Sequence, residues 1–98
     1  MTIWEKSIME IAFQDQARPH EKVECRVAID DQSIVVSYEH DGHAVVYQGE
    51  NAGTGNFVLA CPESDGKASL HVVRDGEVLD GYWIVAGEKG YWKISLKR

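Results

Sequence analysis

The sequence predicts an all-β fold, an antiparallel up-and-down meander of seven or eight short strands closed or nearly closed into a small barrel. Three observations carry this expectation. Apolar and polar residues alternate with period two along most of the chain, the pattern of half-buried strands. Asp-Gly dipeptides at 41–42 and 75–76 separate alternating runs, and a type I′ hairpin turn favours that pair because it needs positive φ at both central residues. The connections are too short for parallel neighbours, which need about a dozen or more linking residues. Closure would remove exposed edges, and about eight strands leave an interior that is filled by side chains or admits one small ligand. A flattened sandwich, or an open sheet that dimerises through its edge, is the alternative.

The first element is ambiguous. In "IWEKSIMEIAF", Trp4, Ile8 and Ile11 have helical spacing, while Met9, Ile11 and Phe13 alternate; a strand near 7–14 is favoured over a helix. "DQARPHE" (15–21) is a connection, with Pro19 disfavouring helix at Arg18. "VECRVAI" (23–29) puts Val23, Cys25, Val27 and Ile29 on one face, and "SIVVSYEH" (33–40) does the same with Ile34, Val36 and Tyr38. Across Asp41-Gly42, pairing His40 with His43 sets Tyr38 opposite Val45 and Val36 opposite Tyr47, so the register that closes the turn also assembles an apolar face.

"GENAGTG" (49–55) reads as a loop or bulged edge, "NFVLAC" resumes the alternation with Phe57, Leu59 and Cys61, and "PESDGK" is a turn. Around Asp75-Gly76, pairing Arg74 with Glu77 sets Val72 opposite Leu79, Leu70 opposite Gly81 and Ala68 opposite Trp83; the reverse face carries His71 opposite Asp80 and Ser69 opposite Tyr82. In the final hairpin, with its loop expected around Gly87-Glu88-Lys89-Gly90, Trp83 and Val85 share a face with Trp92, Ile94 and Leu96.

Ninety-eight residues make one domain with a modest core. Sixteen acidic against ten basic residues give a net charge of −6 without a basic cluster, which argues against a nucleic-acid partner, because that affinity rests on basic side chains displacing counterions. No apolar run approaches the roughly 20 residues that span a bilayer, and the N-terminus lacks the continuous apolar core of a signal peptide. The expectation is a soluble, cytoplasmic protein without a membrane partner or cofactor. Cys25 and Cys61 stand far apart with no CxxC spacing and are read as buried free thiols rather than a disulfide or a zinc site.

Four groupings could carry chemistry. A carboxylate opposite His71 could fix the imidazole tautomer, as Asp80 would, but Ser69 has no glycine-flanked elbow or oxyanion donors beside it. A cross-strand surface pair is the plainer reading, and no catalytic residue is assigned. His40, His43 and Asp41 flank a turn and fall short of a full metal-ligand set. Gly49, Gly53, Gly55 and Thr54 resemble a phosphate-cradling loop, but Asn56 and a strand follow where that motif has Lys-Ser/Thr and a helix. Tyr38, Tyr47, Phe57, Trp83 and Trp92 are the largest inward candidates, and such aromatics either plug a small barrel or line a cavity.

The residues Tyr47-x-Gly49, Gly53-x-Gly55-x-Phe57-x-Leu59, Leu70-His71, Leu79-x-Gly81-x-Trp83 and Gly90-x-Trp92-x-Ile94-x-Leu96 resemble those of small bacterial domains of uncharacterised function. That resemblance implies structure, with glycines at bends and tryptophans inward, and transfers no catalytic residue. A broader resemblance is to the calycin group of ligand-binding barrels, lipocalins and fatty-acid-binding proteins among them, with Trp4 as the tryptophan that seals one end. Thr2 stands where lipocalins carry glycine, and this chain is much shorter than theirs. The functional expectation is a non-enzymatic module binding a small apolar or aromatic ligand through Tyr38, Tyr47, Phe57, Trp83 and Trp92. The alternative is a protein-interaction module or homodimer using an edge or the outward Tyr82, Ile84 and Tyr91; an enzyme using His71 and Asp80 is the third.

Overall fold

The computed structural model describes residues 2–14, 20–51 and 55–98. Eight strands follow one another: β1 (Thr2–Phe13), β2 (Glu21–Ile29), β3 (Ser33–His40), β4 (His43–Asn51), β5 (Asn56–Ala60), β6 (Lys67–Val73), β7 (Val78–Val85) and β8 (Glu88–Ser95). Each pairs antiparallel with the next, and β1 pairs with β8, so the meander is a closed barrel. The expected closed barrel is what forms, and its closure removes the alternative of an open sheet joined to a second copy through its edge, since every strand has both neighbours. No helix among the described residues is long and apolar enough to cross a membrane.

The expected registers hold. His40 faces His43, Val36 faces Tyr47, Leu70 faces Gly81 and His71 faces Asp80. Asp41-Gly42 and Asp75-Gly76 have positive φ at both residues, as type I′ turns require. The β7–β8 connection differs from the expected four-residue loop. It is a third two-residue turn, at Ala86 (φ 51°) and Gly87 (φ 81°), with Val85 paired to Glu88. Ala86 lacks the side chain that makes Asn or Asp tolerant of this conformation, and its N–H is held by the Asp65 carboxylate at 3.0 Å.

The N-terminal segment is entirely strand and begins earlier than the expected 7–14. Its helical spacing near Trp4 comes from an irregularity in pairing between Trp4 and Ser7, which shifts the inward parity there. Ser7, fully buried, occupies this break. Its hydroxyl donates to the Trp4 carbonyl and accepts from the Lys97 N–H, both at 3.1 Å, while the Lys6 N–H donates to the Lys97 carbonyl at 3.0 Å. These bonds extend the β1–β8 seam past the end of the ladder. At the β2–β3 turn the Asp30 carboxylate accepts from the Gln32 and Ser33 N–H groups at 2.8 and 2.7 Å, bonds that hold its carboxyl below the usual range.

The barrel has two unlike ends. Around its middle and toward the β2–β3 turn the interior is filled by Met9, Val27, Ile34, Val36, Leu59, Leu70, Leu79 and Ile94, each at most 1% exposed. Trp4 packs at the edge of this core, with the Arg98 guanidinium 4.9 Å from its ring centroid. Cys25 and Cys61 are buried and form no disulfide, and burial pushes the Cys25 thiol up to about 12, which disfavours its thiolate at neutral pH. Toward the opposite end the large side chains are aromatic, and room for them is made by glycine. Gly81 faces Trp92, and Gly90 faces Trp83.

A methyl group at Gly81 would overlap the Ser69 carbonyl oxygen, and one at Gly90 would lie 2.6 Å from the Trp83 ring. Replacement of either by alanine is expected to cost about 2–4 kcal/mol of unfolding free energy in urea titrations. Gly42→Ala meets no atom within 4 Å and pays only for its φ of +79°, about 1 kcal/mol. Equal losses at the three positions would contradict the close approach inside the barrel.

Candidate functional site

At the end bounded by the Asp41-Gly42 and Ala86-Gly87 turns, the inward row of each strand continues past the aliphatic core. From β1 it supplies Ile11 and Phe13, from β3 Tyr38 and His40, from β4 Tyr47, from β7 Trp83 and Val85, and from β8 Trp92. Glu21 opens the inward row of β2 and Glu88 that of β8. Together these ten residues surround a cavity of about 130 Å³. For scale, an apolar cavity of about 150 Å³ holds a benzene molecule.

The walls brace one another. Trp92 receives Tyr47 edge-on at 4.9 Å between ring centroids and Tyr38 at 6.1 Å, with interplanar angles of 85° and 88°. Trp83 meets Phe13 at 5.5 Å and 87°. Perpendicular contacts set the positive edge of one ring against the negative face of the next. The result is a box of rings at right angles.

Burial pushes the Tyr38 hydroxyl well above the ordinary phenol range, with smaller contributions from Tyr47, the two cysteines and the Glu21 carboxylate. Tyr47 is raised by burial, then by Cys61 and Asp65. Both phenols are therefore neutral at physiological pH. The Trp83 indole N–H is buried and has no acceptor among the described residues. A buried donor without a partner costs about 1–3 kcal/mol, here as for the buried Trp4 indole N–H at the other end of the barrel.

The structure thus brings together four of the five residues singled out in the sequence, Tyr38, Tyr47, Trp83 and Trp92. Phe57, also in the core, sits where β5 begins, paired with Asn51 and Leu70 toward the other end, and does not line this cavity. Phe13, Glu21, Val85 and Glu88 were not anticipated as lining. Their signal was present in the period-two rows, in which Phe13 follows Ile11, Val85 follows Trp83, Glu21 precedes Val23 and Glu88 precedes Gly90. His40, considered above as a turn-borne metal ligand, belongs to the inward row of β3, with Asp41 at 3.4 Å.

The other groupings fall elsewhere. His71 Nε2 lies 2.8 Å from the Asp80 carboxylate on the outer wall, both side chains half-exposed, with Ser69 exposed on the same face. No group of three or more His, Cys, Asp and Glu side chains able to hold a metal ion occurs among the described residues. Gly49 lies within β4 and Gly55 turns into β5 with φ 80°; Gly53 and Thr54 lie outside the described residues. Tyr82, Ile84 and Tyr91 point outward beside Val58 and line a shallow groove, the two tyrosine rings 5.0 Å apart. Comparison with known proteins returns no matching family model, no matching curated protein and no matching solved structure.

The buried hydroxyls and thiol give the fold an alkaline limit. Folded Cys25, Tyr38 and Tyr47 hold their protons above the pH at which the unfolded chain releases them. Their contribution is complete below about pH 9 and is lost progressively above it. Tyr38→Phe is expected to flatten the fall in thermal midpoint above about pH 10; an unchanged alkaline limb would show that Tyr38 is not protected from ionisation.

Proposed function

We propose that the protein is a non-enzymatic binding barrel that takes one small apolar or aromatic ligand into its mouth, with Tyr38, Tyr47, Trp83 and Trp92 as the walls. The observation that carries this reading is the cavity of about 130 Å³ left among four large aromatic side chains, in a barrel whose remaining interior is filled. Side chains of that size could close such a space by repacking. Here Trp83 packs on Gly90 and meets Phe13 at right angles, and Trp92 meets Tyr38 and Tyr47 in the same way, contacts that oppose such repacking. The mode of binding is that of the calycin barrels, with a much smaller site at one end rather than a roomy interior. A cytoplasmic protein fits the two unpaired, buried cysteines.

A second reading, an interaction module, draws on the outer face, where Val58 is 72%, Tyr82 61% and Tyr91 52% exposed. Isolated exposed hydrophobics are ordinary, whereas a contiguous group marks a contact surface.

Titration with single-ring probes such as indole and phenol, followed by tryptophan fluorescence and isothermal calorimetry, tests the first reading. Saturable binding at roughly micromolar to millimolar dissociation constants is expected for ligands of so few atoms. Val85→Trp, which adds volume at the cavity wall, is expected to abolish it while the far-ultraviolet circular dichroism is unchanged. Ile84→Glu on the outer groove is expected to leave probe affinity intact. Should that variant instead dissociate an oligomer seen in sedimentation, the interaction reading gains and the cavity becomes a packing feature.

A further inference from the structure

The mouth is polarised in a way that narrows its ligand. Its inward rows end in Glu21 and Glu88, with His40 beside them, and no Lys or Arg among the described residues lines the cavity. A carboxylate or phosphate ligand would meet the Glu21 carboxylate at the entrance and no Lys or Arg among the described lining residues. Below the rim the walls present the faces and edges of five aromatic rings, with phenols that stay neutral. Aromatic faces carry the negative lobe of the ring quadrupole and attract cations, most strongly where water is excluded.

Resting on the reading of the mouth as a binding site, we propose that its ligand is an organic cation bearing an alkylated ammonium group, seated among the rings of Tyr38, Trp83 and Trp92 beneath the Glu21 carboxylate. A bare ammonium or guanidinium brings several N–H donors that must find acceptors when buried. The Glu21 and Glu88 carboxylates and His40 lie at the strand ends, leaving the two phenol oxygens as the side-chain acceptors among the rings, and a quaternary ammonium seated there asks for none. The cavity, close in size to one that accepts benzene, suits a trimethylammonium head.

The test uses the full chain and two probes of the same shape: choline, and its neutral carbon isostere in which a tert-butyl group replaces trimethylammonium. Both are titrated by tryptophan fluorescence and calorimetry at low ionic strength, with indole as a third probe. Choline is expected to bind at least about tenfold more tightly than the isostere. Glu21→Gln, at a partly exposed position that tolerates the isosteric amide, is expected to lower choline affinity about threefold or more and leave the isostere unchanged. If the isostere or indole binds as well as choline, the cation assignment is overturned while the apolar binding site stands. If none of the three perturbs the tryptophans, the binding-site reading and the cation assignment fall together.

Discussion

Two glycines and two tryptophans on adjacent strands set the geometry on which the rest depends. In the β7–β8 ladder, Gly81 faces Trp92 and Trp83 faces Gly90. Antiparallel pairing turns two copies of Gly-x-Trp head to tail, so each tryptophan is paired with a glycine; the Trp83 ring packs on Gly90, and Gly81 lets the β6 backbone approach at Ser69. A barrel of eight short strands cannot hold two indoles at one level unless the facing positions are small. The reciprocal arrangement leaves no side chain facing either tryptophan across the β7–β8 ladder. Every other feature of the mouth, from the edge-on Tyr47 to the Phe13 contact on Trp83, is built against those two rings.

The same constraint separates the two ends. Aliphatic residues pack to crystal-like density because their shapes adapt to one another, and in the half of the barrel containing Met9, Ile34 and Leu79 these side chains are fully buried. Rigid aromatic plates held at right angles do not tile space as well, and a void remains among them. Polar residues can then occupy the inward row at the rim, where solvent reaches them. The Ser7 break on the opposite side solves a different problem, letting β1 bend from one neighbour to the next while its polar groups stay bonded.

Much of this architecture was legible in the sequence because period and turn chemistry agreed. Asp41-Gly42 fixes a register that pairs Val36 with Tyr47, and Asp75-Gly76 fixes one that pairs Ala68 with Trp83; either register shifted by one residue would turn the apolar row outward. What the sequence obscured had local causes. Ala86-Gly87 lacks the usual signature of its turn because Asp65, distant along the chain, satisfies the Ala86 N–H. The irregularity between Trp4 and Ser7 mimics helical spacing over one turn. Of the site, the aromatic walls were visible, but Phe57 was grouped with them because alternation gives the face of a residue and not its height along the barrel. Glu21 and Glu88 read from sequence as parts of the 15–21 connection and the 87–90 loop, whereas they open β2 and β8.

The polarity of the barrel also settles how it can be presented. β1 enters and β8 leaves beside the β2–β3 turn, Thr2 pairing with Ile29 and the Leu96 N–H bonding the Glu77 carbonyl. The aromatic mouth opens at the opposite pole. A tether, a fused domain or a solid support joined at either end of these strands would therefore leave the entrance facing away from the attachment, and the barrel would stand on its sealed base like a cup.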